Sequence, residues 1–329
     1  MPLVVGTSID SGSGPHIEIL HAARIDFSEV SRTRDLRRNE QLIEALAGAD
    51  AVIAGSEPYP PKVIEALPTL RVIARSGVGF DAIDVEACDR AGIAVCTTPG
   101  VNHHSVAEHT FALLFGVARG FPMTDRRVRE GKWKRVTGPR VMGSTLGIVG
   151  LGRIGQAVAT RAIGVGMKVL AFEPQPNADF LTKWPVELVS LEDLLSRSDY
   201  VSIHSPLTPQ TRHLINPKTL ARMKPGSVLI NTARGGLVDE AALCEALRSG
   251  HLRAAALDVF EVEPLPIESP LLQFENVLLA GHVAGMDNES RHDTFKMCAE
   301  TIVTLYRGGW PAECLVNLRG VSGWHWTRG

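Results

Sequence analysis

The chain has 329 residues, with 34 Lys and Arg against 36 Asp and Glu and a net charge of −2. That length exceeds one ordinary core, so two domains are expected, and the near balance of charge gives no general reason to expect nucleic acid or an anionic membrane as partner. No run reaches the roughly 18 apolar residues of a membrane span. The N-terminus, Met1-Pro2-Leu3-Val4-Val5-Gly6 and then Asp10, lacks a basic segment leading into a long apolar one, so a cytoplasmic location is expected. Cys88, Cys96, Cys244, Cys298 and Cys314 are scattered with no C-x-x-C pair, the pattern of reduced core thiols and not of a disulfide framework or a zinc site.

Strand-like and helix-like segments alternate from the start. Strands are expected at residues 3–7, 51–55, 71–75 and 93–97, with helices between them at 41–47, 61–67 and 84–91. This alternation predicts a small doubly wound α/β domain. A long helix over 102–119, with Ser105-Val106-Ala107-Glu108-His109-Thr110-Phe111 at its heart, is apolar on more than one face and reads as a buried element between the subunits of a homodimer. A larger alternating set runs from 144 to 281, and a last helix is expected over 289–307.

The strand-like run Leu146-Gly147-Ile148-Val149 leads into Gly150-Leu151-Gly152-Arg153-Ile154-Gly155 and then a helical pattern over 156–166. A bare G-x-G-x-x-G is weak, but here a strand precedes it and a helix follows. Gly150 permits a tight turn, Gly152 lets backbone approach a pyrophosphate, and Gly155 allows helix to pack on strand. The helix N-terminus offers N–H groups and partial positive charge to phosphates. The next strand, 168–172, ends in Glu173, an acid at the spacing of a ribose hydroxyl ligand, and no arginine follows in Pro174-Gln175-Pro176-Asn177. A carboxylate there repels a 2′-phosphate, which favours NAD over NADP.

Arg234, Glu263 and His282 each follow a short apolar run: residues 228–233, 254–260 and 277–281. Such runs read as buried parallel strands whose carboxyl ends line one edge of an open sheet, where ligands bind. An arginine there can fork two donors to a carboxylate. An imidazole can move a proton near neutrality. A glutamate bonded to its other ring nitrogen would stabilise the imidazolium.

Taken together, the motifs are similar to those of the D-isomer-specific 2-hydroxyacid dehydrogenase family, on the branch that includes D-3-phosphoglycerate dehydrogenase. The matching stretches are residues 75–81 (Arg75-Ser76-Gly77-Val78-Gly79-Phe80-Asp81), 99–102, 105–108, 150–155, 204–208 with Thr211, 231–236, 256–260 with Glu263-Pro264, and 282–285. They cover nearly the whole chain except about the last ten residues. The resemblance implies an NAD-dependent enzyme interconverting a small D-2-hydroxy acid and its 2-keto acid. It implies a Rossmann NAD-binding domain over 101–285 and a smaller, discontinuous flavodoxin-like substrate domain from 1–100 and 286–329, with hinges near 100 and 286 and the active site in the cleft between them. His282 is then the acid/base, Glu263 its partner, and Arg234 the contact to the substrate's carboxylate and carbonyl. The turn Ser76-Gly77-Val78-Gly79 becomes the substrate loop, with backbone N–H groups for the carboxylate. Cofactor contacts carried over on resemblance alone are Arg153 and Ile154 at the pyrophosphate, Pro206 and Thr211 near the adenosine, Thr232 and Ala233 near the nicotinamide ribose, Asp258 at the carboxamide, and Gly285.

Departures from the pattern matter. Gly281 stands where the residue before the histidine is usually proline, which leaves more backbone freedom; Glu173 replaces the commoner aspartate; His103-His104 occupies positions usually held by small or amide residues. Residues 54–57 lack the arginine that several phosphoglycerate-specific relatives carry on that loop, which weakens the case for a phosphorylated substrate. No regulatory domain follows the catalytic unit, so serine feedback is not expected, and the tail Gly323-Trp324-His325-Trp326 has no role that can be derived. Glu108 reads as a helix residue bonding backbone. A metal site is not expected: His104 and His109 are separated by about 140° around a helix, and Ser105 stands where H-x-x-E-H would need a histidine. The leading reading is phosphoglycerate dehydrogenase-like, with a glyoxylate or hydroxypyruvate reductase as alternative. An NAD-sensing corepressor-like protein is the reading from another class. Formate oxidation is disfavoured because it has no hydroxyl proton for the Glu263–His282 pair to remove.

Overall fold

A computed structural model of the chain describes residues 1–8, 11–31, 33–318 and 323–326; Asp10 lies outside the described residues. The chain divides into two compact units, Met1–Asn102 with Asp287–Gly329, and His103–Met286. The first contains β1 (Leu3–Gly6), α1 (Pro15–Ala22), β2 (Asp26–Glu29), α2 (Asn39–Ala45), β3 (Ala51–Ala54), α3 (Pro61–Glu65), β4 (Val72–Arg75), α4 (Val85–Ala91) and β5 (Ala94–Cys96). The second begins with α5 (His103–Arg119), α6 (Phe121–Arg129), β6 (Thr145–Val149), α7 (Arg153–Gly164), β7 (Lys168–Phe172), α8 (Ala178–Lys183) and β8 (Val186–Leu188). It continues with α9 (Leu191–Arg197), β9 (Tyr200–Ile203), α10 (Pro217–Arg222), β10 (Val228–Asn231), α11 (Glu240–Arg248), β11 (Ala254–Leu257) and β12 (Val277–Leu279). The last helix, α12 (Asn288–Tyr306), returns to the first unit.

In the first unit a five-stranded parallel sheet has the order β2-β1-β3-β4-β5, the flavodoxin-like arrangement. Its strands alternate faces with the pleat. Val4, Ile53 and Ala74 pack with Phe295, Cys298 and Ile302 of α12. Val5, Val52 and Ile73 pack with Leu42, Val63 and Cys88 on the helices opposite. Each fully buried aliphatic side chain stabilises the fold by about 1.5–3 kcal/mol, so a strand such as Ala51-Val52-Ile53-Ala54 can be apolar throughout. The edge strand β2 (Asp-Phe-Ser-Glu) is mostly exposed and escapes a reading by hydrophobic pattern. The tail also belongs to this unit: the Arg71 guanidinium donates to the His325 and Trp326 carbonyls at 2.7 and 3.0 Å, and the Trp324 indole N–H donates to the Gly92 carbonyl at 3.0 Å.

The second unit is a Rossmann domain. Its seven-stranded parallel sheet has the order β12-β11-β10-β9-β6-β7-β8. Strand order reverses between β6 and β9, and in such folds ligands bind beyond the carboxyl ends of the strands at that point. Leu146, Ile148, Val228, Ile230 and Ala256 face α5 and α7. Val149, Val201, Ile203, Leu229 and Leu257 face the opposite layer with Leu194, Leu220 and Leu243. Helix α5 buries Val106, Ala107, Phe111, Leu113 and Leu114 within this unit, so the apolar faces read from sequence as intersubunit are largely used inside the chain. Helix α6 buries none of its residues. Among the described residues no helix is long and apolar enough to cross a membrane.

Candidate active site

Strand β10 lies beside β11, and β11 beside β12, with Asn231 in register with Leu257 and Leu257 with Leu279. The three loops that follow therefore leave one sheet edge together, carrying Arg234, Glu263 and His282. The His282 Nδ1 atom lies 2.7 Å from the Glu263 Oε2. A carboxylate can only accept, so Nδ1 carries the proton and Nε2 is the ring's other working atom. Both side chains keep contact with solvent, at 38% exposure for His282 and 25% for Glu263. The other carboxylate oxygen accepts the Phe260 N–H at 3.0 Å. Burial works to raise the Glu263 pKa, but the hydrogen bonds from His282 and Phe260, with the charges of His282 and Arg234, hold it below the usual glutamate range.

Arg234 comes into the same neighbourhood through packing that only glycine allows. A Cβ on Gly235 would stand 1.8 Å from the Phe260 carbonyl carbon, so the turn after β10 presses directly on the chain leading to Glu263. Asn231, fully buried, locks that turn: its side-chain amide donates to the Arg234 carbonyl at 2.8 Å, and its oxygen accepts the Ala233 N–H at 3.0 Å. The Arg234 guanidinium donates to the Ala233 carbonyl at 2.7 Å.

His282 itself has φ of +57°, a left-handed conformation that costs a residue with a Cβ on the order of 1–3 kcal/mol. Asp258 holds it there. The His282 N–H donates to the Asp258 carbonyl at 2.7 Å, and the Val283 and Ala284 N–H groups donate to the two carboxylate oxygens at 2.9 Å each. Asp258, expected at the cofactor's carboxamide, is fully buried, and its carboxylate accepts from the backbone of the histidine loop. This clamp restrains the backbone freedom that Gly281 would otherwise leave to His282.

The glycine loop sits at the end of β6. Gly150 adopts φ of +97°, and a Cβ on Gly155 would lie 2.1 Å from the Gly150 carbonyl oxygen, whereas a Cβ on Gly152 would meet open space. Gly150 and Gly155 are thus forced by the turn and the close packing behind it, and Gly152 leaves room for a phosphate. Helix α7 begins at Arg153, earlier than its apolar pattern suggests, and its first N–H groups are left without a capping side chain beside exposed Arg153 and half-buried Ile154. Glu173 follows β7; its carboxylate accepts the Leu151 N–H at 2.8 Å and the Gln175 N–H at 3.0 Å, bracing the loop it was expected to complement. These residues fit a dinucleotide. Nearby, His204 at the end of β9 has its Nε2 2.8 Å from the Ser202 hydroxyl, and burial pushes its pKa down to about 3. The Thr211 hydroxyl donates to the Pro206 carbonyl at 2.7 Å and closes the following loop. Thr232 is buried, its hydroxyl 3.0 Å from that of Thr110 on α5, while Ala233 and Gly285 are partly exposed.

The expected substrate loop lies in the first unit, after β4. Ser76 donates its N–H and its hydroxyl to the Ala54 carbonyl at 2.9 and 2.8 Å, and the Gly77 N–H donates to the Arg75 carbonyl at 2.8 Å. Two of the N–H groups expected at a substrate carboxylate therefore have backbone partners, on β3 and at the end of β4, and Val78 beyond them is 41% exposed. Among the described residues the Glu108 side chain pairs with Arg161 of α7 at 2.8 Å and not with the backbone expected for it. Among the described residues no group of three or more His, Cys, Asp or Glu is placed to hold a metal ion.

The model of the D-isomer specific 2-hydroxyacid dehydrogenase NAD-binding domain matches residues 111–284. The chain belongs to the D-isomer-specific 2-hydroxyacid dehydrogenase family. It is thus an NAD-dependent enzyme of this family, and the dinucleotide its glycine loop fits is NAD. It is 46% identical to a glyoxylate reductase of Korarchaeum cryptofilum over 84% of this chain and 85% of that one. It is 42% identical to the D-3-phosphoglycerate dehydrogenase of Mycobacterium tuberculosis over 85% of this chain, but spans only 53% of that longer protein. The crystal structure of the TT0316 protein from Thermus thermophilus superposes with a TM-score of 0.85 at 36% identity, covering 96% of this chain and all of that one.

Proposed function

We propose that the protein interconverts a small, unphosphorylated D-2-hydroxy acid and its 2-keto acid, with glyoxylate and hydroxypyruvate as the substrate class. The observation that carries this reading is the 2.7 Å contact between His282 Nδ1 and Glu263 Oε2 beside Arg234. In the direction of reduction, His282 Nε2 donates the proton that the carbonyl oxygen acquires; in oxidation it takes the hydroxyl proton back. Glu263 stabilises the imidazolium during that exchange and fixes the ring by its other nitrogen. Arg234 keeps its charge at any working pH and orients the substrate carboxylate with paired donors. The bound cofactor would supply a hydride to the substrate's C2 as NADH or accept one from it as NAD. Gly150, Gly152, Gly155 and the N–H groups at the start of α7 would hold its pyrophosphate, and Glu173 would meet its adenosine ribose.

Two observations favour an unphosphorylated substrate over phosphohydroxypyruvate. The loop after β3 carries no arginine, and its charged residue is Glu57, which would oppose a phosphate. The glyoxylate reductase relative is matched over most of its length, whereas the phosphoglycerate dehydrogenase relative is about twice as long as the matched region.

A homodimer is also part of the reading. Its surface is placed at residues 115–142 and not on α5 as a whole, because Phe115, Phe121, Val128, Trp133, Val136 and Met142 are all exposed there, Trp133 by 81%. Sedimentation at micromolar concentration should give twice the chain mass; a monomer would remove this part.

The testing experiment is NADH consumption with glyoxylate, hydroxypyruvate and phosphohydroxypyruvate. Turnover of the first two is expected. A preference for the phosphorylated acid would replace the substrate class, and NADH binding without turnover of any 2-keto acid would favour a sensor.

A further inference from the structure

A second carboxylate–imidazole pair lies behind the first. The His109 Nε2 atom is 3.4 Å from the Asp258 Oδ1. It is sealed from solvent and has no hydrogen-bond partner among the described residues, so the approach to Asp258 is its one polar contact there, an electrostatic one. We infer that His109 is a positioning residue for His282, acting through Asp258, and that helix α5 grips the histidine loop at two points. This rests on the reading of His282 as the acid/base.

Asp258 is the link between helix α5 and the histidine loop. Its carboxylate is fully buried, and a buried carboxylate survives only with its oxygens satisfied. Val283 and Ala284 supply two N–H donors, and His109 Nε2 is the third group facing it. Burial opposes its ionisation, yet the approach of His109 and the two N–H groups take the Asp258 pKa below the ordinary range. An anionic Asp258 keeps both backbone donors, and those bonds fix the residues immediately after His282. One turn before His109 on the same helix face, the Ser105 hydroxyl donates to the Ala284 carbonyl at 2.8 Å. Helix α5 therefore holds the loop through a carbonyl and, by way of Asp258, through two N–H groups. With His282 in a left-handed conformation, a loosened loop would let the ring turn from Glu263.

A packing role alone would be met by any side chain of similar size, and this separates the alternatives. In His109→Leu the donor is gone. In His109→Gln the amide reaches about as far as Nε2, and in His109→Asn it falls short of Asp258. The expected result is a kcat on the 2-keto acid lowered about 10- to 100-fold in the Leu and Asn variants, the scale of a misplaced catalytic group, with KM for NADH little changed and most of the kcat restored in the Gln variant. Amide exchange at residues 282–284 should be faster in the Leu and Asn variants and close to wild type in the Gln variant. Wild-type kcat and exchange in His109→Leu, or a Gln variant no better than Asn, would overturn the inference. Should His109→Leu fail to fold, the Gln and Asn variants decide it between them. Should the wild-type protein reduce no 2-keto acid, the functional reading falls while amide exchange still judges the clamp.

Discussion

The two parallel sheets treat their carboxyl edges in opposite ways. At the edge of the first unit, Glu57 is 6% exposed and accepts from the Thr7 hydroxyl, from the Gly55 N–H at 3.1 Å and from the Tyr59 hydroxyl at 2.8 Å, while Tyr59 is fully buried. Burial and the neighbouring Glu57 raise the Tyr59 pKa well above its ordinary value, so it stays a donor. The polar groups there satisfy one another. At the edge of the second unit, Glu263 and His282 are paired as closely but keep a quarter or more of their surface open. The carboxyl edge thus holds a closed brace in one sheet and, on the proposed function, a reagent in the other, and the difference is exposure of the working atoms, not residue type.

That contrast can be broken from either side. The largest effect is expected from His282→Ala, which should cut turnover by about 10²–10⁴ through loss of general acid/base catalysis with little change in NADH affinity; near-wild-type turnover would make His282 a brace as well. Glu263→Gln should lower kcat by less, because the ring remains but its partner no longer carries charge. The same variant carries a pH signature. The Glu263 pKa is depressed in the folded protein, so its contribution to stability is complete above the unfolded glutamate value and is lost as pH falls through the depressed one. Melting temperature measured against pH should therefore decline in acid for the wild type and decline less for Glu263→Gln.

Smaller effects sharpen the contrast. Glu173→Ala should weaken NAD binding about tenfold, the scale of one hydrogen bond to a charged group, and weaken NADP binding less; an unchanged NAD-to-NADP ratio in titrations would count against the ribose contact. Tyr59→Phe should cost stability alone, about 1–2 kcal/mol for a donor removed from a buried acceptor, measured by denaturant unfolding. A kcat changed as much as stability would show that the first sheet's edge is not merely a brace.

How much of this was legible in the sequence depends on the range of the interaction. Arg234, Glu263 and His282 could be grouped because each ends an apolar run, and the runs proved to be neighbouring strands. The glycine loop was legible because its strand, turn and helix are contiguous. The Asp258 clamp was not: its partners are about 25 residues ahead and about 150 behind, and His109 had been weighed only as a metal ligand. Asn231 and Tyr59 were invisible for the same reason, as buried polar groups whose partners only folding supplies. Strand β2 was missed because it buries no residue, so no hydrophobic period marks it, and helix α6 because its few apolar residues stand among charged ones and none is buried.

The most direct test of the central claim, that the Glu263–His282 pair moves the substrate proton, is the pH dependence of kcat/KM in both directions with the same acid pair. Keto-acid reduction needs a protonated imidazole and should fade as pH rises; hydroxy-acid oxidation needs a neutral one and should fade as pH falls; both limbs should vanish in His282→Ala. Limbs of the same sign in the two directions, or limbs that survive the substitution, would contradict it.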